Sequence, residues 1–345
     1  MILGQYPVDR AAIARAIDVL ARGGLVAVPT ETVYGLAADA DSSTAVHAIF
    51  AAKGRPNDHP VIVHVAAASA LDAWAASVPA PARQLAQRFW PGPLTLVLAR
   101  AARAHDGVTG GQDTVGVRCP AHPWARALLA AWCERRGDPA AALAAPSANS
   151  FGRISPSTAL HVRADLGEKP GGKVDLILDG GPCPLGIEST IIDLSRDKVA
   201  RLLRPGAITR ADLESVLGAP VVDADTDAPR APGRLAQHYA PHAPLELVEA
   251  IALGARVNAL RGTKIAVLAP AIALLDWTGD VALRLVSPTQ PDEYARRLYA
   301  LLHQLDAAGV QRILVARPPQ GAPWDAVHDR LRRASQMDQA GSDTI

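Results

Sequence analysis

The residues best suited to chemistry stand where predicted strands end. Thr30, Glu31 and Thr32 follow directly after Leu25–Pro29, an apolar run that predicts a buried strand. Ligands of α/β proteins bind at the carboxyl ends of sheet strands, where loops present hydroxyl and carboxylate groups. The same pattern also fits a polar loop in which Glu31 is solvated, and spacing alone favours neither interpretation.

A second polar segment carries two cations around a glycine. Lys53 and Arg55 flank Gly54 at the end of a predicted helix that Ser42 caps, and His64 follows in the next predicted strand. Two cations beside a glycine can bind a polyphosphate, because the small residue lets the backbone approach the ligand. Cations also favour helix C-termini without any ligand, and a lone histidine in a strand is more often a core residue. Taken alone, this segment is better explained by cations at a helix C-terminus and a histidine in the core than by a ligand site.

Three further segments place hydroxyl groups or a cation at strand boundaries, namely Ala145–Asn149, Gly186–Thr190 and Leu203–Gly206. Ser155 is expected to cap a helix with Pro156 at its first position, and a helix start offers free N–H groups to phosphate or carboxylate. The sequence has no GxxxxGK[ST] loop, GxGxxG fingerprint, HExxH or GxSxG motif. Any nucleotide site must therefore be assembled from several loops.

Short β-rich runs alternate with helical patterns over the first two-thirds of the chain, beginning with a helical pattern over Asp9–Leu20. The further predicted strands are Val61–Val65, Thr95–Leu98, Thr114–Arg118, Leu143–Ala145, Asp175–Leu178, Thr190–Leu194 and Ala200–Leu203. Strands interleaved with helices in this number predict an α/β fold with a large mixed twisted sheet.

A change in composition divides the chain into parts. Residues 219–244 are rich in proline and aspartate and are predicted to form a linker, or lid, between a catalytic domain, 1–218, and a small C-terminal domain, 245–335. The second domain again alternates predicted strands with helical patterns, which predicts a smaller Rossmann-like α/β fold. Residues 336–345 are expected to be a polar tail.

Composition narrows the range of functions. The formal net charge of +1 argues against tight nucleic-acid binding through charge alone. The three cysteines, Cys119, Cys133 and Cys183, have neither the even number of a disulfide framework nor the CxxC spacing of a zinc site. No apolar run approaches the ~20 residues of a membrane-spanning helix, and the N-terminus lacks the apolar stretch of a signal peptide. We therefore expect a cytoplasmic protein without membrane contact.

A set of motifs occurs in order across residues 25–206, and Tyr239 lies in a further motif, HYAP, near the end of the linker. The motifs are PTETVYGLAADA, KGRP, HPVIVHV, FWPGPLTLVL, TVGVRCPAHP, APSAN, SPST, LGIESTIIDL and LLRPG. Together they resemble the YrdC-like family in its long, two-domain form. The resemblance implies ATP-dependent synthesis of L-threonylcarbamoyl-adenylate from L-threonine, bicarbonate and ATP, with release of pyrophosphate. That product serves the N6-threonylcarbamoyl modification of adenosine 37 in tRNA.

The resemblance also implies residue roles by position. Lys53 and Arg55 fall where the family handles the reacting phosphate, and they are the expected catalytic residues. Threonine-binding positions correspond to Thr32, His64, Arg118, Ala145 and Ser189, with Arg118 the expected partner of the substrate carboxylate. ATP-binding positions correspond to Arg55, His59, Thr114, Ser147, Asn149, Ser155, Arg204 and Tyr239, the last of which is expected to close over the nucleotide.

The resemblance implies Mg²⁺ delivered with ATP and no metal held by the protein itself. The expected recipient of the product is the downstream tRNA threonylcarbamoyl-transferase machinery. Two alternatives stay open on the sequence. One is an RNA-binding module, and the other is the carbamoyl-adenylate chemistry of hydrogenase-maturation enzymes, which carry a cysteine-rich zinc segment that this sequence does not contain.

Overall fold

The computed structural model describes residues 6–196, 199–233, 238–275 and 281–335, and these fall into two units. The first comprises the described residues of Met1–Phe151 and Pro156–Arg234, and the second those of Gly152–Ser155 and Leu235–Ile345. The expected polar tail, 336–345, lies outside the described residues. Across the described ranges, no helix is both long and apolar enough to cross a membrane.

The described part of the first unit contains ten strands: β1 (Val26–Val28), β2 (Gly35–Asp39), β3 (Ile62–His64), β4 (Leu94–Ala99), β5 (Thr114–Arg118), β6 (Leu143–Ala144), β7 (Leu176–Ile177), β8 (Thr190–Asp193), β9 (Ala200–Arg204) and β10 (Val221–Asp223). They form one sheet in the order β10-β9-β8-β4-β5-β3-β6-β2-β1-β7. Neighbours such as β3–β5 and β4–β8 are parallel, whereas β4–β5 and β1–β2 are antiparallel. The predicted large mixed sheet is therefore confirmed.

Helices of the first unit pack on this sheet: α1 (Arg10–Ala21), α2 (Ser43–Lys53), α3 (Leu71–Trp74), α4 (Ala80–Phe89), α5 (Asp106–Thr109), α6 (Pro123–Arg136), α7 (Ala159–Asp165) and α8 (Arg210–Leu217). Successive side chains of each strand point to opposite faces of the sheet, so the apolar residues form two layers, one on each face. In β1, Ala27 joins the layer that includes Ile49 of α2, whereas Val26 and Val28 join the layer of α1 and α6. The predicted cap of α2 is confirmed, because the Ser42 side chain accepts a hydrogen bond from the Ala45 N–H group at 3.2 Å.

The helix start predicted at Ser155 is wrong. Helix α7 begins at Ala159, and the Thr158 hydroxyl accepts the capping hydrogen bond from the His161 N–H group at 3.3 Å. The Pro156 carbonyl accepts instead from the Tyr34 N–H group at 2.9 Å. Because the backbone before Thr158 is bound to a neighbouring loop, the helical turn starts only after it.

The second unit contains, within its described residues, a four-stranded sheet built from β11 (Leu245–Val248), β12 (Ile265–Ala269), β13 (Leu283–Val286) and β14 (Arg312–Ala316). All neighbouring pairs are parallel, in the order β11-β14-β12-β13. The helices that follow these strands are α9 (Leu253–Ala259), α10 (Ala271–Leu275), α11 (Pro291–Ala307) and α12 (Asp325–Ala334). Parallel strands joined through helices are typical of Rossmann-like domains, so this prediction is also confirmed.

Candidate active site

One face of the large sheet carries a row of buried polar side chains. In β3, β4 and β5 every second residue joins the apolar core, which leaves His64, Thr95 and Arg118 on the opposite face. The strand register pairs Arg118 directly with both His64 and Thr95. Residues paired across neighbouring strands share a face, so these three side chains lie side by side.

A buried ion pair stands at one end of this row. The Arg118 Nη2 group donates to Glu31 Oε1 at 2.6 Å, and the two residues are only 4% and 5% exposed. Glu31 Oε2 accepts from the backbone N–H groups of Ala121 and His122 at 3.0 and 3.3 Å. Burial raises the pKa of Glu31, but the charge and hydrogen bond of Arg118, together with hydrogen bonds from backbone N–H groups, outweigh burial and hold that pKa below its ordinary value. The solvated loop that the sequence also allowed does not form.

His64 pairs with Arg118 across neighbouring strands, and Thr32 follows Glu31 in the sequence. Burial, reinforced by the charge of Arg118, lowers the pKa of His64 to about 3, so its ring is neutral at pH 7. His64 Nδ1 lies 3.2 Å from the Ile62 carbonyl oxygen. The Thr32 hydroxyl lies 2.8 Å from the hydroxyl of Thr30, which itself donates to a backbone carbonyl. Both side chains are buried and are held in one orientation.

Ser189 and Arg204 extend the polar row toward β8 and β9. The Ser189 hydroxyl lies 2.8 Å from that of Thr95 and accepts from Arg204 Nη2 at 3.1 Å. Arg204 Nε donates to the Ser189 carbonyl at 3.0 Å, and Nη1 donates to the Pro232 carbonyl at 2.8 Å. One guanidinium thus joins an expected threonine-binding residue to the linker.

Residues 228–232 of the linker lie against the same sheet face within the first unit. Ala231 packs in an apolar cluster with residues of β3, β4, β8 and β9, namely Ile62, Val97, Ile191 and Leu203. The Arg230 N–H group donates to the Gln112 side chain at 2.6 Å. Thr114 lines a small cavity beneath this segment together with Pro60 and Thr95. Part of the predicted linker therefore covers the polar face.

Lys53 stands at the end of α2 and is almost fully buried. Its Nζ group donates to the Ser147 carbonyl at 2.6 Å and also to the Asn149 carbonyl. Burial, followed by the nearby charge of Arg55, lowers the pKa of Lys53 well below its ordinary value. The Lys53 carbonyl in turn accepts from the Phe151 N–H group at 2.8 Å. This lysine therefore holds the loop that carries Ser147 and Asn149.

Arg55 connects the lysine loop with the start of β3. Its Nη2 group donates to the Pro60 carbonyl at 2.7 Å, and its guanidinium lies 5.9 Å from the centre of the Phe151 ring. Burial lowers the pKa of Arg55 to about 10, so it stays charged at pH 7. The His59 ring lies 5.4 Å from the Phe151 ring, and burial, followed by the charge of Arg55, lowers the pKa of His59.

Ala145 lies beside the carboxyl end of β6, where backbones approach closely. Its N–H group donates to the Ile62 carbonyl at 3.1 Å. A Cβ atom added to Gly35 would lie 3.3 Å from the Ala145 Cβ atom, which is tighter than ordinary contact. Small residues at both positions therefore allow the strand ends to meet beside the polar face.

Two expected ATP-binding residues, Ser155 and Tyr239, belong to the second unit. Tyr239 is buried and adopts a positive φ of 65°. Its ring lies 5.6 Å from the Tyr299 ring and 5.4 Å from the Arg330 guanidinium. Every other expected site residue lies in the first unit.

Sequence reasoning assigned no role to Thr95, Gln112 or Arg230, which the structure places at the polar face. Thr95 had a visible signal, since it is the only hydroxyl residue in the apolar run of β4. Gln112 and Arg230 had none, because their contact joins positions 118 residues apart in the chain.

The comparisons with known proteins identify the family of the chain. The family of Sua5, YciO and YrdC proteins, described as "Telomere recombination", matches residues 18–206, and the C-terminal domain of threonylcarbamoyl-AMP synthase matches residues 208–336. The threonylcarbamoyl-AMP synthase of Pyrococcus abyssi is 39% identical over 340 residues, which cover 93% of each chain. The chain belongs to the threonylcarbamoyl-AMP synthase family.

Further members of this enzyme family show the same two-part similarity. The threonylcarbamoyl-AMP synthase of Bacillus subtilis is 37% identical over 334 residues, covering 94% of this chain and 92% of its own. The crystal structure of P. abyssi Sua5 complexed with L-threonine matches with a TM-score of 0.85 and 37% identity, covering 95% of each chain. The match extends over both units, so the α/β fold is that of the long form of the family.

Proposed function

We propose that this chain synthesises L-threonylcarbamoyl-adenylate from L-threonine, bicarbonate and ATP, with release of pyrophosphate. The buried Glu31–Arg118 pair is the observation that carries the proposal, because it lies on the same sheet face as His64, Thr114 and Arg204. That face combines groups suited to an amino acid with cations suited to phosphate. The family membership of the chain supports the same reaction.

The amino-acid site is proposed at Thr32, His64, Arg118, Ala145 and Ser189. Arg118 uses Nη2 for Glu31, while its buried Nε group has no partner among the residues that the structure describes. A carboxylate is the preferred acceptor for such a guanidinium. A relative of 37% identity has been crystallised with L-threonine, which supports threonine as the ligand here.

The nucleotide site is proposed at Arg55, His59, Thr114, Ser147, Asn149, Ser155, Arg204 and Tyr239, with Lys53 and Arg55 closest to the reaction. The threonine amine and bicarbonate give N-carboxy-threonine and water. The new carboxylate on the threonine nitrogen attacks the α-phosphorus of ATP, and pyrophosphate leaves. Such phosphoryl chemistry depends on positioning and charge neutralisation rather than on a covalent nucleophile. Buried cations serve both needs, because a low local dielectric strengthens their interaction with phosphate.

Mg²⁺ is proposed to enter with ATP rather than to occupy a site made by the protein. No cluster of three or more His, Cys, Asp or Glu side chains suited to a metal occurs within the described ranges. Mg²⁺ commonly keeps several waters and binds substrate phosphates, which fits a site rich in cations and hydroxyl groups. When bound, the ion would neutralise charge on the phosphates.

The product is proposed to pass to the tRNA threonylcarbamoyl-transferase machinery in the cytoplasm, where ATP and tRNA are present. Catalysis is assigned to residues 1–218, with the linker, 219–244, acting as a lid. The net charge of +1 does not favour an independent role in RNA binding.

Pyrophosphate release by the purified chain tests the proposal. We expect release that requires threonine, fresh bicarbonate and ATP together, with threonylcarbamoyl-adenylate identified by mass spectrometry. Release of none under these conditions would refute the proposed reaction. Carbamoyl phosphate replacing both threonine and bicarbonate would favour hydrogenase-maturation chemistry. Strong, salt-sensitive RNA affinity in the absence of ATP and threonine would favour a binding module.

A further inference from the structure

His122 lies next to the Glu31–Arg118 pair but has no role in the reaction described above. Its backbone N–H group donates to Glu31 Oε2 at 3.3 Å, on the side of the carboxylate away from Arg118's contact with Oε1. The residue is 1% exposed and stands immediately before α6. A titratable side chain buried this deeply beside a buried ion pair requires a physical explanation.

The hydrogen bonds of the His122 ring fix which nitrogen carries the proton. Nδ1 accepts from the Trp124 N–H group at 3.3 Å and so caps the start of α6. Burial lowers the pKa of His122 to about 4, so the ring is neutral at pH 7. A neutral imidazole has one acceptor and one donor nitrogen. Since Nδ1 accepts, Nε2 is the donor.

This Nε2–H donor is buried and has no partner among the residues that the structure describes. The Arg118 Nε group is likewise buried without a partner among the described residues, and Arg118 bonds to Glu31 through Nη2. Trp132 Nε1 is also unpaired, but it belongs to an apolar cluster between α1 and α6, where no ligand chemistry is indicated. Of these three donors, only those of Arg118 and His122 belong to residues that bond to Glu31, whose charge also acts on the His122 ring, at the amino-acid site proposed above.

We propose that the His122 Nε2–H group donates a hydrogen bond to an oxygen of the amino-acid substrate and so contributes to threonine recognition. This inference rests on the proposed function of the site. Leaving a buried donor unpaired is unfavourable, and a bound carboxylate or hydroxyl oxygen relieves that cost. Amino acids without an acceptor in the matching position would leave the donor unpaired and bind more weakly.

The variant His122→Asn separates recognition from helix capping. Asparagine is a favourable N-cap residue, so its side-chain oxygen can still accept from Trp124, while the donor at the position of Nε2 is lost. His122→Ser retains a cap in the same way and serves if the asparagine variant does not fold. His122→Ala loses both functions. His47→Asn is the matched control, because His47 lies exposed on α2 and bonds only to Ser43 in the described structure.

Calorimetric titration of the full chain with L-threonine is the test. We expect His122→Asn to weaken binding by about three- to tenfold, the range for one lost hydrogen bond, with the unfolding midpoint close to that of the unmodified chain. His47→Asn should bind as the unmodified chain does. With L-2-aminobutyrate, which lacks the hydroxyl group, an equal loss identifies the carboxylate as acceptor, and no loss identifies the hydroxyl group.

Unchanged threonine affinity in both cap-retaining variants would overturn the inference, as would a threonine complex in which Nε2 donates only to water. The two proposals can fail separately. If the unmodified chain releases pyrophosphate while His122→Asn keeps full affinity, only the role of His122 is lost. If the unmodified chain binds threonine through His122 but releases no pyrophosphate, only the proposed reaction is lost.

Discussion

Replacing Glu31 with glutamine keeps the size of the side chain and removes the charge that faces Arg118. The two groups are 2.6 Å apart and almost inaccessible to solvent. Neutralising one partner of a buried ion pair leaves the other charge uncompensated, which costs about 3–5 kcal/mol. Glu31 also accepts two backbone hydrogen bonds on Oε2, which a glutamine oxygen can retain. We therefore expect the free energy of unfolding of the first unit to fall by about 3–5 kcal/mol at pH 7.

The pH dependence of this effect has a defined sign. Although burial raises the pKa of Glu31, Arg118 and the backbone hydrogen bonds together hold it below its ordinary value of 4.5 in the folded chain. A lowered folded pKa gives stability that is present above the unfolded pKa and is lost as the pH falls through the folded value. The difference between the two chains should thus be full at pH 7 and should shrink as the pH falls below 4.5.

Hydrogen exchange across β5 as a function of urea concentration measures the loss of stability locally, because β5 carries Arg118. Asp72→Asn provides the matched control. Asp72 pairs with Arg83 at the same 2.6 Å distance, but both side chains are more than half exposed, so solvent screens their attraction. We expect no measurable change in the control. A Glu31→Gln variant as stable as the control at pH 7 would refute the view that this pair is electrostatically coupled in the folded chain.

Three further expectations concern single side chains. Arg118→Ala should raise the KM for threonine more than the KM for ATP, because it removes the proposed carboxylate partner; equal increases, measured by pyrophosphate release, would contradict that role. Lys53→Met should lower kcat by about 100-fold, the scale of losing one stabilising donor, with circular dichroism confirming that the chain folds; near-normal turnover would exclude Lys53 from the reaction. Thr209→Ala should cost about 1 kcal/mol in urea unfolding without changing activity, because Thr209 and Asp212 form a reciprocal capping box at α8.

Sequence patterns predicted most of the strands, because a buried strand appears in the sequence as a short run of apolar residues. Thr114–Arg118 has the predicted bounds, and the mixed sheet and the second α/β unit followed from the alternation of elements. β2 was missed because Gly35–Asp39 directly follows a polar turn and lacks β-branched residues. β10 was missed because its three residues stand among prolines and aspartates, and it forms only by pairing with β9. Pairing between distant segments leaves no local signal.

The candidate site shows the same division between local and distant information. Local pattern identified Glu31 as a polar residue at a strand end, and the family resemblance identified Arg118, but their pairing joins positions 87 residues apart. The expected cap at Ser155 failed because the Tyr34 N–H group, distant in sequence, donates to the Pro156 carbonyl and helix α7 begins only after Thr158. Residue types therefore indicated the chemistry, whereas the partners of each group depended on strand order.

The two-residue period of β5 serves folding and the proposed reaction together. Val115 and Val117 are buried in the apolar core, while Thr114 and Arg118 stand on the polar face. A slip of one residue would place the Arg118 charge in the apolar layer and move the valines toward the site, so both the core and the substrate groups would be lost. Strand register is thus fixed by hydrophobic burial, and the same register brings Arg118 beside His64 and Thr95. The relative positions of these proposed substrate-binding groups therefore follow from the packing of the core and do not require a dedicated phosphate-binding loop.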